Sequence, residues 1–75
     1  MANNALRRVR RSVGLSQVDL ARLAGVAQTA ISAYERGETM PSRVVLLRIM
    51  GALGVDCPTR IGYRWRTELG VEAHV

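Results

Sequence analysis

The chain has 75 residues, a formal net charge of +5 and a single cysteine, and each of its 11 basic residues is arginine. A chain of this length makes one domain with a marginal core; Cys57 alone excludes a disulfide framework, and His74 stands too far from other ligands to suggest a metal site. With no apolar run of about 18 residues and no apolar N-terminal leader, the expectation is a soluble cytoplasmic protein that draws extra stability from a second copy of itself.

The first predicted helix runs from Asn4 to Val13, with Asn3 or Asn4 as its cap. Leu6, Val9 and Val13 fall on one stripe at helical spacing, and Arg7, Arg8, Arg10 and Arg11 take much of the remaining surface. Gly14 ends the helix. Ser16-Gln17-Val18-Asp19 has the spacing of a capping box, with aspartate as the acid. A second helix follows over Gln17–Ala24, its large apolar residues being Val18, Leu20 and Leu23. Small Ala21 at its middle admits another helix at close range, and Gly25 stops it.

A third helix is predicted from Gln28 to Arg36. Ile31 and Tyr34 anchor it, while Gln28, Thr29, Ser32 and Ala33 form a face that is short-chained, uncharged and largely polar. Gly37 closes it, and Glu38-Thr39-Met40 make a loop. Pro41 and Ser42 announce a fourth helix to Leu53, Ser42 being its cap. Val45, Leu46, Ile49, Met50 and Leu53 give it a broad apolar face, from which Val44 is excluded. Asp56-Cys57-Pro58 breaks the course of the chain. In Ile61-Gly62-Tyr63-Arg64-Trp65-Arg66 large apolar residues alternate with glycine or arginine, which favours a half-buried strand; a short fifth helix from Pro58 is the alternative. A strand in so small a protein leaves an unpaired edge. The same strand of a second copy would satisfy it across a two-fold axis, with Ile61, Tyr63 and Trp65 in the interface.

Two short helices joined by a tight glycine turn are the elements of a helix-turn-helix. Ala21 allows the two helices to cross without clash, and Gly25 permits the reversal between them. The residues Leu15-Ser16-Gln17, Leu20-Ala21, Leu23-Ala24-Gly25-Val26, Ile31-Ser32, Tyr34-Glu35-Arg36-Gly37, Pro41-Ser42 and Ala52-Leu53-Gly54 resemble the Cro/cI-type helix-turn-helix family over about residues 5 to 55. The resemblance implies an all-α bundle of four or five helices, like the lambda repressor, whose third helix enters the DNA major groove. It also implies a dimer reading two half-sites about one helical turn apart. Residues 1–55 are then the DNA-binding domain, with the motif at 17–36, and 56–75 a tail for dimerisation.

Carried to this sequence, the base-reading candidates are Gln28, Thr29, Ser32 and Ala33. Glutamine pairs with the adenine edge, and Thr29 or Ala33 suits a thymine methyl. The phosphate candidates are Gln17, Arg11, Arg36 and Arg43, Gln17 because it opens a helix whose free amides and positive dipole end favour an anion. Likeness to the family further implies that Arg10 pairs with Glu35. Three positions depart from the family pattern: Ala27 where a capping hydroxyl is common, Arg43 where an apolar residue is common, and Val44 where a polar one is. A slightly rotated fourth helix, turning Val44 to a subunit interface and Arg43 to the DNA backbone, accounts for the last two.

The function expected is sequence-specific binding of double-stranded DNA by a dimeric bacterial or phage repressor or regulator, with no cofactor and no small-molecule ligand. A protein-interaction module such as an antitoxin is the alternative. No grouping of nucleophile, base or phosphate-cradling loop suggests an enzyme.

Overall fold

The computed structural model describes residues 3–63. Within them lie α1 (Asn4–Ser12), α2 (Gln17–Ala24), α3 (Gln28–Arg36) and α4 (Arg43–Leu53), followed by one turn of 3-10 helix at Pro58–Ile61. No strand occurs among the described residues.

Each helix starts where its local chemistry allows. The Asn3 side chain caps α1 by accepting from the Leu6 amide at 3.0 Å. Ser16 and Asp19 form a reciprocal capping box on α2, the Asp19 amide donating to Ser16 Oγ at 3.0 Å and the Ser16 amide to Asp19 Oδ2 at 3.1 Å. Ser42 caps α4 through the Val45 amide. By contrast α3 begins at Ala27 with no side-chain cap, so one of its first amides lacks the partner a hydroxyl would supply. Between α2 and α3 the chain reverses at Gly25, whose φ of +73° lies in the left-handed region that side chains with a Cβ avoid.

The core is one cluster drawn from every element. Leu6, Leu20, Ile31, Leu46, Ile49 and Ile61 are fully buried, joined by Ala21, Ala24, Tyr34, Met50, Leu53 and Tyr63. Helix α2 packs on both α3 and α4, while α1 packs on α3 and on the 3-10 turn. The buried Ala21 and Ala24 let α2 sit close to its neighbours.

Three sequence expectations are corrected. The period-two pattern from residue 61 does not make a strand over the residues described. Pro58 instead starts a 3-10 turn, closed by Gly62 at φ +90° and by a hydrogen bond from the Tyr63 amide to the Pro58 carbonyl at 2.9 Å. The alternation marks two core residues one step apart rather than one face of a ribbon. Ile61 and Tyr63 are consequently 0% and 7% exposed within a single chain and are not presented to a second copy; Trp65 lies outside the described residues. Finally, Val13 after α1 is exposed although its spacing places it on the apolar stripe, and Val18 and Leu23, named as large apolar residues of the second helix, are exposed as well. Helix α2 is only eight residues long and is covered on two sides, so Leu20, Ala21 and Ala24 fill its contacts.

Asn3 holds the two ends of the described chain together. Besides capping α1, its side-chain amide donates to the Ile61 carbonyl at 2.9 Å, and its backbone amide donates to the Glu35 carbonyl at 2.8 Å. The Tyr63 hydroxyl is buried nearby without a hydrogen-bond partner among the described residues, and burial raises its pKa.

Candidate nucleic-acid interface

The anchor of the site is a buried ion pair. Arg10 of α1 donates from Nε and Nη2 to both carboxylate oxygens of Glu35, at 2.5 and 3.1 Å, and from Nη1 to the Leu15 carbonyl at 2.8 Å. Both side chains are almost wholly buried. A forked guanidinium facing both carboxylate oxygens ties α1 to the end of α3 in one orientation. Burial pushes the Glu35 carboxyl up; the hydrogen bonds from Arg10 and Gln17, with the positive charge of Arg10 and Arg7, outweigh it and leave the carboxyl below its ordinary value.

From that pair a chain of hydrogen bonds runs to the surface. A carboxylate only accepts, so the side chain that reaches Glu35 Oε1 must bring an N–H. Gln17 does so, its Nε2 donating at 3.0 Å. With its nitrogen turned inward, Gln17 offers its oxygen to α3, and Gln28 Nε2 donates to Gln17 Oε1 at 2.6 Å. Gln28 thereby keeps its own Oε1 and its second N–H clear of this chain. The orientation of two surface amides is thus dictated by a charge in the core.

A second group lies further along α3. Arg36 donates from Nε and Nη2 to the two carboxylate oxygens of Glu38 at 2.7 and 3.0 Å, and from Nη1 to the Ser32 hydroxyl. This ion pair is exposed, unlike Arg10–Glu35. The hydrogen bonds that Arg36 donates to Glu38 raise the pKa of Arg36 and lower that of Glu38.

Six of the residues named from sequence are joined in two networks. Arg10, Glu35, Gln17 and Gln28 form one connected network, and Ser32 and Arg36 belong to another. Gln28 and Thr29 are exposed at the start of α3, and Ser32 and Ala33 are half-buried a turn further on, while Ile31 and Tyr34 point into the core. Arg11 and Arg43 are exposed and have no ion pair among the described residues. The sequence expectations do not include the pairing of Glu38, in the loop after α3, or the linking role of Asn3. For Glu38 a signal existed in Arg36-Gly37-Glu38, two opposite charges either side of a helix-ending glycine. For Asn3 there was none, because its partner lies 58 residues away.

Two helices crossing at a glycine turn, the second anchored by Ile31 and Tyr34 and showing a polar face to solvent, define a helix-turn-helix DNA-binding regulator. The helix-turn-helix family model matches residues 6–58, and the chain belongs to that family, in its Cro/cI-type form. Among solved structures it resembles the restriction-modification controller protein C.AhdI from Aeromonas hydrophila. That match has a TM-score of 0.72 and 34% identity, covering 79% of this chain and 88% of that one. It also resembles a chain of the SinR protein/SinI protein complex, with a TM-score of 0.71 and 27% identity over 99% of this chain and 70% of that one. No curated protein sequence matches the chain significantly.

Among the described residues there is no group of potential metal ligands, and no helix is long and apolar enough to cross a membrane.

Proposed function

We propose that this protein regulates transcription by binding a specific double-stranded operator as a homodimer, with α3 of each copy in the major groove. The observation that carries this reading is the network from Arg10 through Glu35 and Gln17 to Gln28. It leaves Gln28 with one free acceptor and one free donor, the pair that the N6 and N7 positions of adenine require. Thr29, Ser32 and Ala33 line the same helix and serve as the further base contacts, Thr29 and Ala33 toward a thymine methyl. Gln17 keeps a second N–H for a phosphate beside the N-terminus of α2, where the helix dipole favours an anion. Arg11, Arg36 and Arg43 supply further phosphate contacts.

The likeness to a restriction-modification controller supports a controller of gene expression as the biological role. A second copy is supported by the apolar residues that the single chain leaves in solvent, among them Val44 and Leu47, three residues apart on α4 and each about half exposed.

The test is a fluorescence-anisotropy titration of the full chain with its own upstream DNA and with a scrambled duplex, at low and at physiological salt. The upstream site is expected to bind about a thousandfold more tightly, with steep salt dependence. Gln28→Ala should then lose about 1–3 kcal/mol of discrimination at one base pair in each half-site. Equal binding of both duplexes would remove the sequence-specific reading. No binding to either at low salt would favour a protein-interaction module.

A further inference from the structure

The Arg36–Glu38 pair is unusual in its position rather than in its strength. Arg36 is the last residue of the helix whose face carries the base-reading candidates, and its third donor is spent on Ser32, one of those candidates. Its remaining fork faces both oxygens of a carboxylate, at 2.7 and 3.0 Å. A guanidinium meets a phosphate in the same two-pronged geometry. Glu38 therefore occupies the side of Arg36 that a DNA phosphate would use, and it is one side chain removed from the face that reads bases.

We propose that Glu38 is an internal stand-in for a DNA phosphate: it holds Arg36 in the free protein, is exchanged for a backbone phosphate on binding, and so restrains affinity for DNA of any sequence. The inference rests on α3 being the DNA-facing helix. The exchange is feasible because exposed ion pairs are weak and easily broken, whereas duplex DNA presents a dense row of phosphates with a condensed ion atmosphere to release. Once displaced, the Glu38 carboxylate remains beside the DNA and opposes it. Both effects lower affinity without reference to base sequence, since phosphate contacts carry no sequence information directly. The device suits a chain with net charge +5 and only 6 acidic residues. An unrestrained arginine surface would spread the protein over non-specific DNA.

The experiment compares four full-length proteins on one short duplex of arbitrary sequence at low salt: wild type, Glu38→Gln, Arg36→Ala and the double variant. Both residues are exposed, so all four are expected to fold. Glu38→Gln should tighten binding by about two- to fivefold, and the gain should fade as salt rises. In the Arg36→Ala background the same substitution should produce a clearly smaller gain, the part that comes from repulsion alone. An equal gain in both backgrounds would reduce Glu38 to simple repulsion and overturn the exchange. Unchanged or weaker binding by Glu38→Gln would overturn it as well. If wild type binds no duplex at low salt, the DNA-facing assignment of α3 fails and this inference falls with it. If wild type binds and Glu38→Gln is neutral, only the inference falls.

Discussion

Arg10 and Glu35 do two things at once. They fix α1 against α3, and through Gln17 they fix the amide of Gln28. Removing one partner strands the other charge in the core, which is the costly way to break a buried pair. Glu35→Ala is expected to cost about 3 kcal/mol in urea unfolding, the lower end of the range, because Arg10 retains the Leu15 carbonyl. The same residue contributes to the acid sensitivity of the fold. Its folded-state pKa lies below the ordinary value of 4.5, so the unfolded chain takes up a proton first as pH falls. Stability from this group should be constant above about pH 4.5 and be lost as pH falls through the lower folded-state value. Asp19, lowered by hydrogen bonds with the Ser16 amide and hydroxyl, contributes in the same direction. Thermal melts between neutral pH and pH 3 would check this; the acid loss should shrink in Glu35→Gln, which cannot titrate there. At this scale the sequence was informative only through resemblance. Arginine and glutamate 25 residues apart share no local signal, and the family likeness alone paired them.

At the scale of elements the sequence is most informative, because helix limits are local properties. Gln17–Ala24 and Gln28–Arg36 were legible from the capping box, the glycine stops and the apolar spacing, and Ser42 from its place before an apolar run. The rotation of α2 was not. Val18 and Leu23 are as apolar as Leu20, and only the positions of α3 and α4 decide that Leu20 is buried and the others are not. The uncapped start of α3 leads to a prediction. Ala27 is exposed and already has the extended backbone of a capping residue, with φ −72° and ψ 150°. Ala27→Ser should therefore stabilise the protein by about 1 kcal/mol, seen as a rise of about 4–8 °C in melting temperature. No rise would mean that the first amides of α3 are satisfied in another way.

On the scale of the whole molecule the 3-10 turn matters most. It brings Ile61 against α1 and closes the core that α1 to α4 leave open at one side. Gly62 makes this contact feasible: its φ is +90°, and a Cβ there would strike the Asn3 carboxamide, which is pinned by its bonds to the Leu6 amide and the Ile61 carbonyl. Gly62→Ala should destabilise the fold by about 1–2 kcal/mol from backbone conformation alone, and more from the clash, measurable as a lower urea midpoint. A neutral effect would show that the contact between the two ends is dispensable. Association is the other whole-molecule question. With Ile61 and Tyr63 spent in the core, the dimer we propose draws on exposed apolar residues such as Val44. Val44→Asp should leave folding intact and shift sedimentation toward the monomer, with weaker operator binding. A variant that remained dimeric would exclude Val44 from the interface.

What the sequence determined by itself was whatever depends on neighbours along the chain: four helices, their caps and stops, and the spacing of a helix-turn-helix. Those follow from hydrogen-bonding and steric preferences acting over a few residues. Tertiary structure alone decided which apolar residues of α2 are buried and that Ile61 and Tyr63 belong to the core instead of a strand. It also decided that Asn3 binds the Ile61 carbonyl, and that Glu38 holds Arg36. These depend on groups brought close by packing. The burial of a residue, and the partner of a charge, are set by what the rest of the chain places beside it.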